Sequence, residues 1–244
     1  MNNQESWQET RFIYTNGNIR TNKKEVSPKS WVVNNCVAQL YSEYIPNFVS
    51  GQLLDLGCGM CPLYKAYHQY SSSIFCIDWE NSIHSSPYID LHCDLNKVIP
   101  VSDNSFNTII LSDVLEHIEK PSLLLTEAYR LLDTNGVILI NVPFLYWIHE
   151  QPYDFYRYTE FGLKKLIENA GFKIEVFEVV GGILETWSDL TSKLSSYLPF
   201  LNRIIPKSLY LLIILFNKIA WLKKKRYFLD RLFPLGYFIV ARKL

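Results

Sequence analysis

The stretch from Leu53 to Cys61, with the sequence LLDLGCGMC, decides the fold. It begins with an apolar run broken by one acid, which is typical of a parallel strand buried on both faces. Gly57 and Gly59 then leave the backbone free to take unusual dihedral angles and let a ligand approach closely. Pro62 suits the first turn of a helix. A strand, a glycine turn and a helix start, in this order, predict a nucleotide-type pocket.

Length and charge limit what the chain can be. Its 244 residues are enough for one full α/β domain with a decoration. The 24 basic and 24 acidic residues cancel, so no overall field argues for a nucleic-acid partner. Five cysteines and a polar start without the apolar core of a signal peptide predict reduced thiols and a cytoplasmic location.

Cys58 and Cys61 have the spacing of a redox pair or half of a zinc site. A structural zinc site would need two more ligands, and the other three cysteines show no matching second pair. We therefore interpret these cysteines as small residues that fill a turn, and we predict no metal site.

Short apolar strands alternate with helical or turn segments along most of the chain. This alternation predicts a doubly wound α/β domain with a mostly parallel sheet of seven strands and helices on both faces. Ligands on such sheets bind at the carboxyl ends of the strands. After the opening strand, the predicted strands are residues 73–78, 88–91, 106–111, 136–142, 172–180 and 234–243, and the clearest helices between them are residues 121–132 and 159–170.

The pattern divides the chain into four regions. Residues 1–48 would form an irregular arm or flexible lid followed by a helix that begins near Ser27 and ends at Pro46. Residues 49–180 would form the cofactor-binding core. Residues 181–232 break the alternation and predict a helical insertion before residues 233–244, the last strand of the sheet.

Asp78 is the candidate ribose ligand. A dinucleotide enzyme would have a third glycine at position 62, where this chain has proline, so a smaller nucleoside ligand fits better than a pyrophosphate. Asp78 stands nineteen positions after Gly59 at the end of the second strand, where it could accept both ribose hydroxyls. Trp79 offers a face on which a purine can stack. The alternative is that Asp78 only caps the turn that follows it.

Three motifs, of which the first is the opening stretch, stand in order along the core. The first, at residues 54–59, is an acid followed by one residue and then by two glycines with one residue between them. The second is CDL at residues 93–95, with a strand region at residues 99–110. The third is SDVLEHI at residues 112–118. Together these motifs resemble those of class I S-adenosylmethionine-dependent methyltransferases of the small-molecule type, over about residues 49–180 and the last strand. The resemblance implies a Rossmann-like fold and S-adenosylmethionine as cofactor.

The resemblance also implies which residues hold that cofactor. The methionine part would be surrounded by the glycine turn, the ribose held by an acid, the adenine contacted at the next strand end, and the sulfonium lined by the segment after the fourth strand. The residues at the methionine part are Asp55, Gly57, Cys58 and Gly59, and the ribose ligand is Asp78. Asp94 and Leu95 would contact the adenine, and Ser112 or Asp113 would line the sulfonium. The family often has a glycine where Cys61 stands.

The loop at residues 143–158 carries the candidates for chemistry. A sulfonium methyl is already activated, so transfer needs mainly alignment and removal of the acceptor's proton. His149 is the natural base near neutral pH, and Glu150 or Asp154 could orient it. Arg157 could bind an acidic group of the substrate or pair with Asp154. Tyr146 and Tyr153 are the aromatic substrate candidates.

Two alternatives to these roles remain open. The loop could be a lid fixed by its own ion pairs and aromatic packing. His117, which follows Glu116, is expected to cap a helix or pair locally rather than to transfer a proton.

The apolar helix at residues 209–222 is too short to span a bilayer, which takes about 20 apolar residues. We expect it to cover the sheet or form a dimer contact, after a first helix at residues 187–198. Alternatively, it lies along a membrane surface, with the basic residues 223–226 meeting anionic headgroups.

The sequence therefore predicts methyl transfer from S-adenosylmethionine to an oxygen or nitrogen of a small-molecule or glycan-type acceptor. The second hypothesis is a non-catalytic module that keeps the fold and binds a partner or a membrane through residues 181–232. The sequence does not specify the methyl acceptor or the oligomeric state.

Overall fold

A seven-stranded sheet forms the centre of the computed structural model, which describes residues 1–82 and 86–244. Strands β1 (Phe12–Thr15) and β2 (Asn18–Thr21) form a separate hairpin. The sheet strands are β3 (Gly51–Leu56), β4 (Ser71–Asp78), β5 (Leu91–His92), β6 (Phe106–Ser112), β7 (Leu132–Pro143), β8 (Phe172–Val180) and β9 (Gly236–Lys243).

The strand order in the sheet is β5-β4-β3-β6-β7-β9-β8. Strands β3 to β7 run parallel, and β9 runs antiparallel to both of its neighbours. This confirms the predicted Rossmann-like, mostly parallel sheet. Because β3 and β6 are neighbours in space but not in sequence, the strand order reverses between them, and open α/β sheets bind ligands at such a point.

Helices cover both faces of the sheet. They are α1 (Trp31–Phe48), α2 (Tyr64–Tyr67), α3 (Pro121–Leu131), α4 (Glu160–Asn169), α5 (Ile183–Ser195), α6 (Ile204–Asn217) and α7 (Ala220–Leu232). Leu54 packs in one cluster with Leu125 of α3 and Leu163 of α4. Its neighbour Leu53 points to the opposite face and packs with Tyr41 of α1. Alternate strand residues therefore feed two cores, as a doubly wound domain requires.

The N-terminal region is more regular than predicted. Instead of an irregular arm, residues 12–21 form the β1–β2 hairpin, whose Phe12 and Ile19 are buried in the same core as α1. Asn16 and Gly17 connect the strands with φ angles of 52° and 78°. An Asn-Gly pair is the strongest short-range signal of a hairpin, so this element was visible in the sequence.

Several boundaries also differ from the prediction. Pro46 does not end α1 but lies in its last turn, and the helix continues to Phe48. The helix after the glycine turn is only the four residues of α2, and the third sheet strand, β5, has two residues. The strand predicted at residues 136–142 begins earlier, at Leu132, so that Asn135 lies inside the long strand β7.

Helices α5 to α7 form the predicted insertion before the last strand. The first two begin four or five residues earlier than expected, and α7 was not predicted as a helix of its own. All three contact one another, and α5 and α6 contact α1. Tyr210 and Ile213 of α6 pack against Val32, while Leu211 and Leu215 on its other side are 61% and 59% exposed. No helix among the described residues is long and apolar enough to cross a bilayer.

Candidate active site

A cavity of about 530 Å³ lies at the carboxyl ends of β3, β4 and β6. This is the point where the strand order reverses, and the volume is typical of a small-molecule site. The predicted site residues that line it are Gly57, Cys58, Gly59, Asp78, Trp79, Asp94, Leu95, Ser112, Asp113, Glu150 and Tyr153. Residues from five separate predicted segments of the chain therefore meet around one space.

The glycine turn forms one wall of this cavity. The amides of Gly57 and Cys58 both donate to the carbonyl of Ile77, at 2.8 and 3.1 Å, which ties the turn to β4. Gly57 has a φ of 77°, and a Cβ at this position would lie 2.5 Å from Cγ2 of Val114. Glycine is therefore required here both by the backbone conformation and by the close approach of the segment after β6.

Asp78 is fixed by two backbone amides. Its Oδ2 accepts from the amide of Gly59 and its Oδ1 from the amide of Trp79, each at 2.6 Å. The residue is only 8% exposed but lines the cavity. A carboxylate offers about four acceptor positions, so the turn-capping role and the ribose-binding role considered from the sequence are compatible.

Asp94 and Trp79 stand on the next part of the wall. Burial raises the pKa of Asp94, but hydrogen bonds from Asn96 and Lys97 outweigh it and hold that pKa below its usual range. Asp94 is therefore a carboxylate at neutral pH and can only accept hydrogen bonds. The rings of Trp79 and Tyr153 meet edge to face, with centroids 5.1 Å apart. A carboxylate beside aromatic faces suits a purine with an exocyclic amino group.

Asp113 follows β6 with a φ of 54° and is held by partners from two directions. Its Oδ2 accepts from a guanidinium nitrogen of Arg11 at 2.6 Å, and its Oδ1 from the side-chain amide of Asn141 at 2.5 Å. Arg11 precedes β1, and both it and Thr10 line the cavity. The N-terminal arm thus closes one side of the site.

The loop after β7 folds back onto the segment after β6. The amide of Phe155 donates to the backbone carbonyl of Glu116 at 2.9 Å. The hydroxyl of Tyr158 donates to the backbone carbonyl of Leu115, also at 2.9 Å. Nδ1 of His117 lies 2.8 Å from the carbonyl of Tyr153. This contact holds the imidazole at the cavity, where Glu150 also stands, so a proton acceptor is available there.

His149 lies beside His117 but outside the cavity lining, with the two ring centroids 4.8 Å apart. Its Nδ1 is 3.2 Å from Oδ2 of Asp154, whose carboxylate is held by Arg157 at 2.5 and 2.6 Å. Burial, with the nearby His117, lowers the pKa of His149. Of the predicted catalytic residues, only Glu150 reaches the cavity, while Asp154 and Arg157 form the internal ion pair that was the alternative for this loop.

Two other predicted site residues also lie outside the lining. Asp55 is buried and accepts a hydrogen bond from the hydroxyl of Tyr67 at 2.6 Å. Burial raises its pKa well above the usual range. The ring of Tyr146 is 3.3 Å from Nζ of Lys193 in α5, so this tyrosine joins the loop to the insertion.

A third buried cysteine, Cys76 of β4, lies close to Cys58 and Cys61. Sγ of Cys61 and Sγ of Cys76 are 3.7 Å apart, and all three thiols are free. Sequence spacing could not reveal this third neighbour, because it arrives through strand pairing. Buried free cysteines commonly act as small apolar side chains.

The sequence interpretation gave no site role to several residues that line the cavity. They are Thr10, Arg11, Asn96, His117, Glu119 and Phe155 among others. His117 was assigned a capping or pairing role because nothing local indicates that residue 153 binds its Nδ1. The Asn16-Gly17 hairpin signal could have placed the arm near α1, but no signal placed Arg11 beside Asp113.

Comparisons with known proteins agree with this geometry. Residues 54–140 match a family described as a methyltransferase domain. A search of curated proteins finds no matching sequence. Among solved structures, the chain is similar to an S-adenosylmethionine-dependent methyltransferase from Mesorhizobium loti, with 15% identity over 87% of this chain and 100% of that one and a TM-score of 0.54.

Two further neighbours show how far the fold extends. A methyltransferase from Archaeoglobus fulgidus, also S-adenosylmethionine-dependent, has 17% identity over 82% of this chain and 90% of that one, with a TM-score of 0.52. The chain is also similar to the [4+2]-cyclase SpnF, with 16% identity over 96% of this chain and 86% of that one and a TM-score of 0.54. At such identities the likeness shows the fold alone, and one fold can serve different reactions.

Proposed function

We propose that the chain is a class I S-adenosylmethionine-dependent methyltransferase that moves the sulfonium methyl to an oxygen or nitrogen of a small-molecule or glycan-type acceptor. The observation that carries this proposal is the composition of the cavity. One part of its wall is the glycine turn with Asp78 and Asp94, which suits the cofactor. Another part holds His117, Glu150 and Tyr153, which suits an acceptor that must lose a proton.

The cofactor contacts follow from the positions of the side chains. The methionine part would lie against Gly57 and Gly59, the ribose hydroxyls at Asp78, and the adenine between Asp94 and Trp79. Asp113 would then face the sulfonium. Because an in-line displacement needs mainly alignment, the protein's main task is to hold the acceptor atom opposite the sulfur.

His117 is the simplest proton acceptor in this arrangement. The carbonyl of Tyr153 accepts from its Nδ1, which leaves the lone pair on Nε2. Nε2 lies 3.9 Å from Oε2 of Glu150, so a proton taken up there would be stabilised. His149, the base favoured by the sequence, would support His117 from outside the cavity.

The experiment is a methylation screen with isotopically labelled cofactor. Hydroxylated aromatic compounds, saccharides and amines are incubated with the protein, and products heavier by one methylene group are identified by mass spectrometry. With an accepted substrate, His117→Gln should lower turnover by about 10²-fold or more while leaving cofactor affinity within about threefold. Unchanged turnover would remove His117 from the mechanism.

The exposed apolar side chains of the insertion favour a second role, contact with a membrane surface or partner. Leu211, Leu212 and Leu215 are exposed on α6, and such patches mark interaction sites more often than chance. Such contact would bring a lipid-linked acceptor to the enzyme. Sedimentation with anionic vesicles at low salt tests it: the protein should pellet, Leu211→Glu with Leu215→Glu should stay in solution, and a wild-type chain that stays in solution rules the idea out.

A further inference from the structure

Three side chains beside the cavity converge on one point. Oε1 of Glu116 lies 3.7 Å from Nε2 of His117 and 3.8 Å from Nε2 of His149. One ligand atom from each residue fits within 4.8 Å of the others. These separations are too long for hydrogen bonds. Ligand atoms held about 2.1 Å from a tetrahedral ion lie roughly 3.4 Å from one another. The two distances from Glu116, 3.7 and 3.8 Å, are slightly longer than this.

Both imidazoles are oriented as metal ligands usually are. Nδ1 of His117 donates to the carbonyl of Tyr153 at 2.8 Å, and Nδ1 of His149 faces Oδ2 of Asp154 at 3.2 Å. Arg157 in turn fixes Asp154. An oxygen acceptor on one ring nitrogen fixes the tautomer and leaves the lone pair of the other for a metal. In His117 this lone pair is on Nε2, which faces Glu116. In His149 a guanidinium nitrogen of Arg157 also lies 3.4 Å from Nδ1, and an ion on Nε2 would require the ring proton to sit on Nδ1, facing Asp154.

Glu116 supplies an independent observation. It is completely buried, and neither of its carboxyl oxygens has a hydrogen-bond partner among the described residues. Burying a carboxyl group in this way is costly unless something compensates it. Hydrogen bonds to its backbone carbonyl from Phe155 and Tyr156 hold the residue in this position. The unpartnered oxygens point to a cation between Glu116 and the two imidazoles.

We propose that Glu116, His117 and His149 bind a divalent transition-metal ion beside the cofactor cavity. Two imidazoles and one carboxylate suit manganese, iron, cobalt or zinc. Magnesium prefers an octahedral set of oxygen ligands and should bind more weakly. Sequence spacing does not indicate this site, because His149 comes from a different loop and approaches Glu116 through the fold of residues 153–158 onto the segment after β6.

The site refines the proposed function and its role in the reaction rests on that function. His117 lines the cavity, so an ion held by these three side chains would lie beside the acceptor. A bound hydroxyl would be more acidic than a free one, and Glu150 would take its proton, since the ion occupies Nε2 of His117. The acceptor oxygen then forms a bond to the methyl carbon, the bond from that carbon to sulfur breaks, and S-adenosylhomocysteine leaves.

The test is titration with Mn²⁺ of protein that has been treated with chelator and desalted, without cofactor. Loss of the free Mn²⁺ signal in electron paramagnetic resonance reports binding directly. Mn²⁺ disfavours thiolates, so the cluster of Cys58, Cys61 and Cys76 does not compete. The wild-type chain should bind one equivalent, and Mg²⁺ should displace it only in large excess.

Two ligand variants and one control make the result specific. Glu116→Gln, which keeps the shape of the side chain, and His149→Gln should each weaken Mn²⁺ binding about tenfold or more. His68→Gln, at an exposed histidine, should bind like the wild type. Circular dichroism and thermal unfolding without metal check that each variant is folded. If one of the two ligand variants does not fold, the other is enough for the test.

Absence of binding to the wild type at millimolar Mn²⁺, or equal binding by all folded variants, would overturn the proposal. Because this measurement uses no cofactor or acceptor, its failure leaves the methyltransferase function standing. Equally, failure of methyl transfer would not change the metal titration.

Discussion

The carboxylate of Asp78 accepts a hydrogen bond from the backbone amide of Gly59, with 2.6 Å between oxygen and nitrogen. The bond joins the end of β4 to the turn after β3, which are two of the places where the sequence predicted cofactor contacts. The acid that is expected to hold the ribose therefore also fixes the turn that is expected to hold the methionine. Substitutions at this point should affect cofactor binding strongly.

Asp78→Asn should weaken S-adenosylmethionine binding about tenfold or more, since it removes a charged hydrogen-bond acceptor from the cavity wall. Asp55→Asn is the matched control, because it is the same substitution at a residue that does not line the cavity. Its affinity should stay within about threefold of the wild type. Calorimetry measures both, and equal losses in the two variants would contradict the assignment of Asp78.

Gly57→Ala should impair both folding stability and cofactor binding. The new Cβ would lie 2.5 Å from Val114, in a backbone conformation with a φ of 77°. Gly17→Ala is a control at nearly the same φ, 78°, with no heavy atom of the described residues within 4 Å of the new Cβ. It should cost only about 1–2 kcal/mol in the free energy of unfolding, the penalty of a left-handed conformation. Denaturant titration compares the two, and we expect the larger loss at Gly57.

Asp55→Asn should change how stability depends on pH. Burial raises the pKa of Asp55, so the folded chain keeps a proton that the unfolded chain releases above its ordinary pKa. Wild-type stability should therefore fall as pH rises from about 4 toward the raised value, by up to about 1.4 kcal/mol per pH unit from this group. The variant lacks this contribution, so its stability relative to the wild type should increase over that range. Urea unfolding at several pH values measures the free energy of unfolding of both proteins. If the two change with pH in the same way, Asp55 is not protonated in the folded state.

Arg11→Gln should destabilise the chain through the N-terminal arm. Arg11 donates to Asp113 and to the side-chain carbonyl of Asn34. Losing a hydrogen bond to a partly buried carboxylate should cost about 1–2 kcal/mol in the free energy of unfolding. Arg20→Gln, at an exposed arginine of the β1–β2 hairpin, should change the free energy of unfolding by less than about 0.5 kcal/mol. If both variants unfold alike, the contact with Asp113 contributes nothing to stability.

The cofactor side of the site could be predicted from the sequence because it follows from topology. Gly57, Asp78, Asp94 and Asp113 each stand where a parallel strand ends, and such ends meet at one edge of the sheet. Asp55 lies inside β3, two positions before Gly57, and its side chain is buried against Tyr67 rather than facing the cavity.

The acceptor side could not be predicted in the same way. Which residues of the 143–158 loop reach the cavity depends on hydrogen bonds to residues 115–119, and sequence spacing does not encode these. Glu150 and Tyr153 reach the cavity, whereas His149 turns toward Asp154. The same long-range contacts bring His117 into the site.

A crystal structure with S-adenosylhomocysteine bound tests the central claim most directly. We expect the homocysteine part against Gly57 and Gly59, the ribose hydroxyls at the Asp78 carboxylate, and the sulfur facing the side of the cavity formed by Asp113 and His117. The ligand bound elsewhere, or with its sulfur turned away from His117, would contradict the proposed site and the direction of methyl transfer.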